Sequence, residues 1–230
     1  MKANFNDENF RRAERRKTMA GVSMVEVIIV LVIIAILSAI SIPYIFQSRS
    51  RYRSEDQALK VMDLMREASQ LAITRRRTFR LEIDRTNNQL LIIDETGQLA
   101  AATDDQKQIK AIPLDPVNET RVDTIPTGVS KPNPPNYNDA TFAADTIGHK
   151  DANGNSVTGN TVWAVRFKRD GSVVNGADNP ISANLYFYPP QTTGSSTPRS
   201  LNEVRAVTVF GGSGAVRYWK YNGTAFVPVS

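Results

Sequence analysis

Residues 22–46 form an almost unbroken apolar run that holds a single carboxylate, Glu26, and follows directly on a basic cluster of Arg11, Arg12, Arg15, Arg16 and Lys17. As a helix the run measures about 37 Å at about 1.5 Å per residue, enough to cross a hydrocarbon core of about 30 Å. The preceding cations place the N-terminus in the cytoplasm and everything after Phe46 outside, by the positive-inside rule. No later segment is apolar enough to return. The run therefore predicts a single-pass chain whose remaining residues must fold beyond the membrane.

A charge within such a segment needs a partner, because at the membrane centre it costs about 2.5–3.5 kcal/mol on insertion scales. A cut after Gly21 frees the amine of Val22 at the depth of Glu26. An opposite charge at about 4 Å contributes about 4 kcal/mol at an effective dielectric of about 20, which offsets the insertion cost. That amine serves best when it belongs to a neighbouring subunit. Further along, Pro43 lacks an N–H, so the carbonyl of Ala39 loses its helical partner and a bend is expected. Ser38 and Ser41 are placed to satisfy the break. The simpler alternative is an ordinary secretory signal or uncleaved anchor. The small residues Ala39 and Ser41 suit a signal peptidase, but that reading leaves Glu26 unexplained.

The basic leader, Gly21, the short segment Val22-Ser23-Met24-Val25, Glu26 and the long apolar helix together resemble the class-III signal of type IV pilins and pseudopilins. The resemblance implies that a prepilin peptidase cuts after Gly21 and methylates the amine of Val22. It also implies that Glu26 makes the assembly salt bridge to a neighbour's Val22 amine. Pro43 falls where these proteins often carry a helix proline, and Ala35 stands where many have glycine. The partners implied are the peptidase, other pilin or pseudopilin subunits and an inner-membrane assembly platform.

The leader holds six Lys/Arg against three Asp/Glu, so the formal net charge of +5 falls to +2 once residues 1–21 are removed. With no cysteine, neither a disulfide framework nor a thiolate metal site is possible, and the exported part must be stabilised by packing. Its length suits one core.

Helical periodicity continues to about Thr74. Ala58, Met62, Met65, Ser69 and Ala72 recur at spacings of three and four, beside a second stripe of Val61, Leu64, Ala68 and Leu71. Uninterrupted from Val22, this helix would be about 80 Å long. Arg75, Arg76 and Arg77 sit at its C-terminal end, where cations oppose the helix dipole. Strand patterning follows. Thr78–Asp84 alternates Phe79, Leu81 and Ile83 with Arg80, Glu82 and Asp84, and residues 85–88 supply a turn into the strand 89–94. Other expected strands are 121–125, 162–167, 172–174, 183–188, 204–210 and 215–221. Tight reversals are expected at Arg169-Asp170-Gly171 and Gly211-Gly212-Ser213-Gly214.

This order predicts an α+β chain, a long N-terminal helix packed on a C-terminal antiparallel sheet. Four regions follow: a leader 1–21, a transmembrane or filament-core helix 22–46, an amphipathic half 47–75 and a β domain 76–230. Within the last, 126–160 is expected to be a flexible loop. The order resembles the GspH/FimT branch of minor pilins, where Val165-Arg166-Phe167-Lys168-Arg169-Asp170-Gly171-Ser172 and Gly214-Ala215-Val216-Arg217 match characteristic segments. That branch implies the pilin fold and a minor component of a type IV pilus or type II secretion pseudopilus, near the tip or in initiation.

Catalysis and cofactors find no support in the motifs. The one histidine, His149, lies in a polar loop without a patterned nucleophile and reads as a surface residue. Glu82, Asp84, Asp94 and Glu95 read as solvent-facing. There is no phosphate loop or metal-binding helix pair. Asp151, Asn153 and Asn155 mimic the opening of an EF-hand loop, but Ser156 and Val162 occupy its glycine and glutamate places. The alternative function is DNA capture through Arg75, Arg76, Arg77, Arg80, Arg205, Arg217 and Lys220, with Tyr218 and Trp219 as stacking surfaces. The small net charge left after leader removal argues against it.

Overall fold

The structure, a computed structural model, describes residues 22–95 and 106–229. The chain divides into two compact units, 1–48 and 49–230. A helix, α1 (Met24–Arg75), begins in the first unit and ends in the second. In the first unit, the side chains of residues 22–41 are all exposed, and Met24–Ser41 is long and apolar enough to cross a membrane. The leader, with Gly21, lies outside the described residues. At Pro43 only the backbone is described, and α1 runs through it; the expected kink there is not among the described features.

In the second unit, α1 buries Ala58, Val61, Leu64, Met65, Ala68 and Ala72. This is the stripe expected from spacings of three and four. Ser54 and Gln57 extend it in polar form: Ser54 donates to the Glu203 carbonyl at 2.7 Å, and Gln57 Oε1 accepts the Asp115 N–H at 2.8 Å. The helix closes with Arg76 in the left-handed region (φ 55°) and an Arg77 N–H to Ala72 carbonyl bond of 3.2 Å. That six-to-one bond satisfies one of the terminal carbonyls.

Fourteen strands follow among the described residues: β1 (Thr78–Asp84), β2 (Gln89–Glu95), β3 (Gln106–Pro113), β4 (Arg121–Asp123), β5 (Asn138–Asp139), β6 (Ala143–Ala144), β7 (His149–Lys150), β8 (Ser156–Val157), β9 (Thr161–Phe167), β10 (Val173–Val174), β11 (Ala183–Tyr188), β12 (Arg205–Val209), β13 (Val216–Tyr221) and β14 (Phe226–Pro228). The first sheet runs β10-β9-β1-β2-β3-β7-β8, with β6 also on β9. The second runs β14-β13-β12-β11-β4, with β5 also on β11. One core gathers the α1 stripe, Phe79, Leu81, Ile83, Trp163, Val165 and Phe167 of the first sheet, and Leu185, Phe187, Val207 and Tyr218 of the second. A smaller core built around Tyr186, Tyr188, Trp219, Tyr221 and Phe226 covers the other face of the second sheet.

The α+β expectation of a long helix on one antiparallel sheet is overturned, and with it the pilin fold. Helical residues are only 24% of the chain and the first sheet curls into a half-barrel. The described residues form two sheets, and the β3–β7 and β5–β11 pairings are parallel. Alternation along a strand reports its two faces but not its sheet, which is why the expected strands are found while their division between sheets was not legible. The 126–160 segment carries β5 to β8, none longer than two residues. Such short bridges have too little period-two pattern to be read from sequence. Strands β3 and β14 were also not anticipated.

Two expected reversals meet. A Cβ placed on Gly214 (φ +64°) would stand 2.5 Å from the Gly171 carbonyl oxygen, whereas one on Gly212 meets nothing within 4 Å. The β12–β13 turn thus approaches the β9–β10 turn of the other sheet backbone to backbone. We predict that Gly214→Ala lowers the unfolding free energy by about 2–4 kcal/mol, combining left-handed strain with overpacking. Gly212→Ala should stay within about 1 kcal/mol of the parent, because it lacks both the left-handed φ and the close approach. Urea unfolding of the two variants, read side by side, checks both.

Candidate functional site

In the first unit, Val22 and Ser23 precede α1, and the Val27 N–H donates to the Ser23 carbonyl at 3.1 Å. Glu26 lies in the first turn, where a carboxylate meets the positive end of the helix dipole. It is exposed, on a helix whose described neighbours Met24, Val25, Val27, Ile28 and Ile29 are also exposed. No partner for the carboxylate is found among the described residues.

The cations considered for DNA capture do not converge on one surface. Arg205 and Lys220 both reach Glu55 on α1, at 3.5 and 2.7 Å. Arg217 instead stacks over Phe210 and Trp219, at 5.9 and 5.4 Å from the ring centroids. Alternation along β13 puts Arg217 and Lys220 on opposite faces. Tyr218 and Trp219, expected as stacking surfaces, are buried, and the Trp219 indole N–H donates to Thr208 Oγ1 at 2.9 Å. At the end of α1, Arg75 lies over Phe79 (5.9 Å), and Arg77 pairs with Asp94 at 3.5 Å. Arg76 and Arg77 line a cleft with Lys168 and Arg169, in which Glu95 and Asp170 supply opposing charge.

The densest chemistry lies where solvent was expected. Arg80, Glu82 and Asp84 are all buried, as are Glu95 and Arg166. They occupy the face of the first sheet that points away from α1, and β6 and β7 bring the 140–160 segment to the sheet's β9 and β3 edges. Asp84 is fully engaged by the hairpin it terminates. Its Oδ1 accepts the N–H groups of Thr86 and Asn87 at 2.8 and 3.1 Å, and its Oδ2 accepts the side-chain amides of Asn87 and Asn160 at 2.9 and 2.8 Å. Asp94 is the exception among the four acids expected in solvent. It is half-buried, on the α1 side of β2.

Arg80 and Arg166 stand directly opposite one another in the β1–β9 register. Like charges in that position repel. Glu95 resolves the conflict: its Oε1 is 3.2 Å from Arg80 Nε, and its Oε2 accepts a hydrogen bond from Arg166 Nε. Arg80 Nη2 also donates to the Gly148 carbonyl at 2.5 Å, and Arg166 Nη1 donates to the Asn175 carbonyl at 3.3 Å.

His149, read as a surface residue, is 3% exposed. Its Nδ1 stands 3.8 Å from Glu82 Oε1. Burial holds its pKa below the usual histidine value, with the Arg80 charge acting in the same direction, and both favour the neutral imidazole. Burial likewise pushes the Glu82 carboxyl up to about 7; Arg80 opposes the shift, while Asp145, Asp84 and Glu95 add to it. Asp145 accepts the N–H groups of Ile147 and Gly148, each at 3.0 Å, which turns the chain so that His149 faces the sheet. The EF-hand-like Asp151 is spent on its own turn: its Oδ1 accepts from Asn153 and Asn155 N–H at 2.9 and 2.8 Å.

The pattern of Thr78–Asp84 carried part of this signal, since it set Arg80, Glu82 and Asp84 on one face. That a distant segment covers the face was not legible. Comparison with protein-family models, with characterised proteins and with solved structures finds no match to this chain.

Replacing Glu95 by Gln leaves two buried guanidiniums facing each other without a shared anion. The expected loss is about 3–5 kcal/mol, as for other buried ion pairs broken on one side. Arg217→Gln, at an exposed position, should cost under about 1 kcal/mol. Chemical denaturation of both variants is the check.

Proposed function

We propose that this chain is a minor pilin or pseudopilin, a structural subunit processed by prepilin peptidase and assembled into a type IV pilus or type II secretion pseudopilus, near its tip or in its initiation. One observation carries the reading: an exposed Glu26 in the first turn of a helix long and apolar enough to cross a membrane. An anchor alone has no use for that carboxylate. A filament does, because each helix that enters brings a new N-terminal amine to the depth of the previous helix's glutamate, and low dielectric strengthens the attraction.

On this reading the subunit starts in the bacterial inner membrane, with its N-terminus cytoplasmic and residues beyond 46 periplasmic. Peptidase action at Gly21–Val22 creates the methylated amine. Extraction by the assembly platform then transfers apolar surface from lipid to neighbouring subunits, so the helix stays desolvated throughout. The reading rests on the N-terminal segment and takes nothing from the shape of the β-rich unit. It involves no enzyme chemistry of the chain's own and no cofactor.

Two measurements test it. Intact-mass and N-terminal analysis of membrane-extracted protein, made with and without a prepilin peptidase, should show a peptidase-dependent N-methylated Val22. An N-terminus at Ile42, or an intact leader in both samples, would mean an ordinary exported or anchored protein. Glu26→Ala should still insert and be cleaved but be lost from sheared filaments by about 10-fold or more, as expected for removal of an interaction worth more than about 1.4 kcal/mol. Normal incorporation of that variant would overturn the pairing.

A further inference from the structure

We infer that Glu82, Asp145 and His149 form a binding site for a divalent first-row transition-metal ion, which clips the 140–160 segment to the first sheet. One ligand atom from each residue lies within 4.8 Å of the others, and all three residues are buried. The site does not depend on the filament reading.

Unspent ligand capacity is the first argument. Glu82 is 0% exposed, yet neither of its carboxylate oxygens has a hydrogen-bond partner among the described residues, and His149 Nδ1 has none either. Buried polar atoms are seldom left so. Arg80 does not answer the need: its Nη2 is 3.6 Å from Glu82 Oε2 and its Nη1 3.9 Å from Asp145 Oδ1, too far for hydrogen bonds. Its nearer partners are Glu95 and the Gly148 carbonyl. Asp145 is held in place by two backbone N–H groups, and a carboxylate so held keeps lone pairs for a metal.

Charge is the second. On this face, Glu82, Asp84, Glu95 and Asp145 are buried with Arg80 and Arg166. Four carboxylates against two guanidiniums leave a formal −2 when all are ionised and His149 is neutral. Burying that excess is unfavourable unless a proton or a cation joins it. A divalent ion brings the balance to zero, and an anionic ligand is excluded by sign.

The donor set selects the class of ion. One imidazole nitrogen and two carboxylates suit zinc and its first-row neighbours. Calcium prefers six to eight oxygens, which this site does not offer. Bonds of about 2.0–2.2 Å in tetrahedral geometry place ligand atoms about 3.4 Å apart. The His149–Glu82 separation of 3.8 Å is already near that value, so modest side-chain rotations close the set, with water in the fourth position. The mechanical consequence follows from topology. Strand β6 attaches this segment to β9 by two register pairs and β7 attaches it to β3 by one, while β8 pairs with β7 inside the segment, and a metal adds a bond from β1 to both Asp145 and His149.

The experiment uses the full untagged chain in detergent, metal-stripped, titrated with Zn2+ and with Co2+ as a spectroscopic probe. Expected are one equivalent bound, a tetrahedral Co2+ absorption band, and a higher melting temperature with Zn2+ that is reversed by chelator. His149 is the only histidine, so its imidazole 15N resonances must shift at one equivalent. Glu82→Gln, Asp145→Asn and His149→Gln should each weaken binding by about 100-fold or more, since even outer-shell losses cost about 10–100-fold. Glu67→Gln, in a half-buried pair with Lys110 outside the cluster, should bind as the parent does. Unmoved imidazole resonances in the folded parent protein would overturn the inference whether or not the variants fold, as would ligand variants that bind normally.

Discussion

The Glu95 carboxylate, shared between Arg80 and Arg166, is the interaction on which the outer layer of the first sheet depends. Register sets the two guanidiniums opposite each other, and only an anion held between them makes that arrangement tolerable in a buried place. From this bridge the rest of the layer follows. Arg80, anchored at Nε, turns an Nη to the Gly148 carbonyl and so draws in the segment that carries Asp145 and His149. That segment in turn shuts water away from Glu82, which raises its pKa. The polar layer thus specifies where a weakly patterned stretch of chain must lie, a role that apolar packing alone performs less selectively.

The second unit is organised by faces. Alpha-helical residues 54–72 present apolar or small side chains to both sheets at once, which accounts for the two adjoining stripes and for Val61, Met65 and Ala68 being fully buried. The second sheet has apolar cover on both sides, so Tyr186 and Tyr188 on one face are as buried as Leu185 and Phe187 on the other. The first sheet is apolar on the face toward α1, and on the other its buried ions sit beside Leu91 and Ile93 of β2. Where the turns of the two sheets touch, glycine is required by distance as much as by conformation.

The first unit poses a different physical problem. The apolar side chains of residues 22–41 have no cover among the described residues, and a contiguous apolar surface of that extent marks a site of membrane or protein contact. On the proposed filament reading Glu26 adds a condition, since lipid cannot satisfy a carboxylate but a neighbouring chain's amine can. On that reading the two units meet opposite demands: one is stabilised internally, the other by what surrounds it.

How much was legible follows from how far each signal reaches. The apolar run, its single carboxylate and its flanking cations are local, and they determined a helix long and apolar enough to span a membrane, with an ionisable group in its first turn. Periodicity of three and four determined the buried stripe of α1, and alternation determined β1, β2, β9, β11, β12 and β13 with which residues share a side. Those properties depend only on neighbours along the chain. Tertiary structure decided which side of each strand meets solvent, because that depends on what folds over it. It divided the strands between two sheets and turned Trp219 inward. It also brought His149 and Asp145 onto Glu82 from more than sixty positions away, by short bridges and hydrogen bonds that have no periodicity to read.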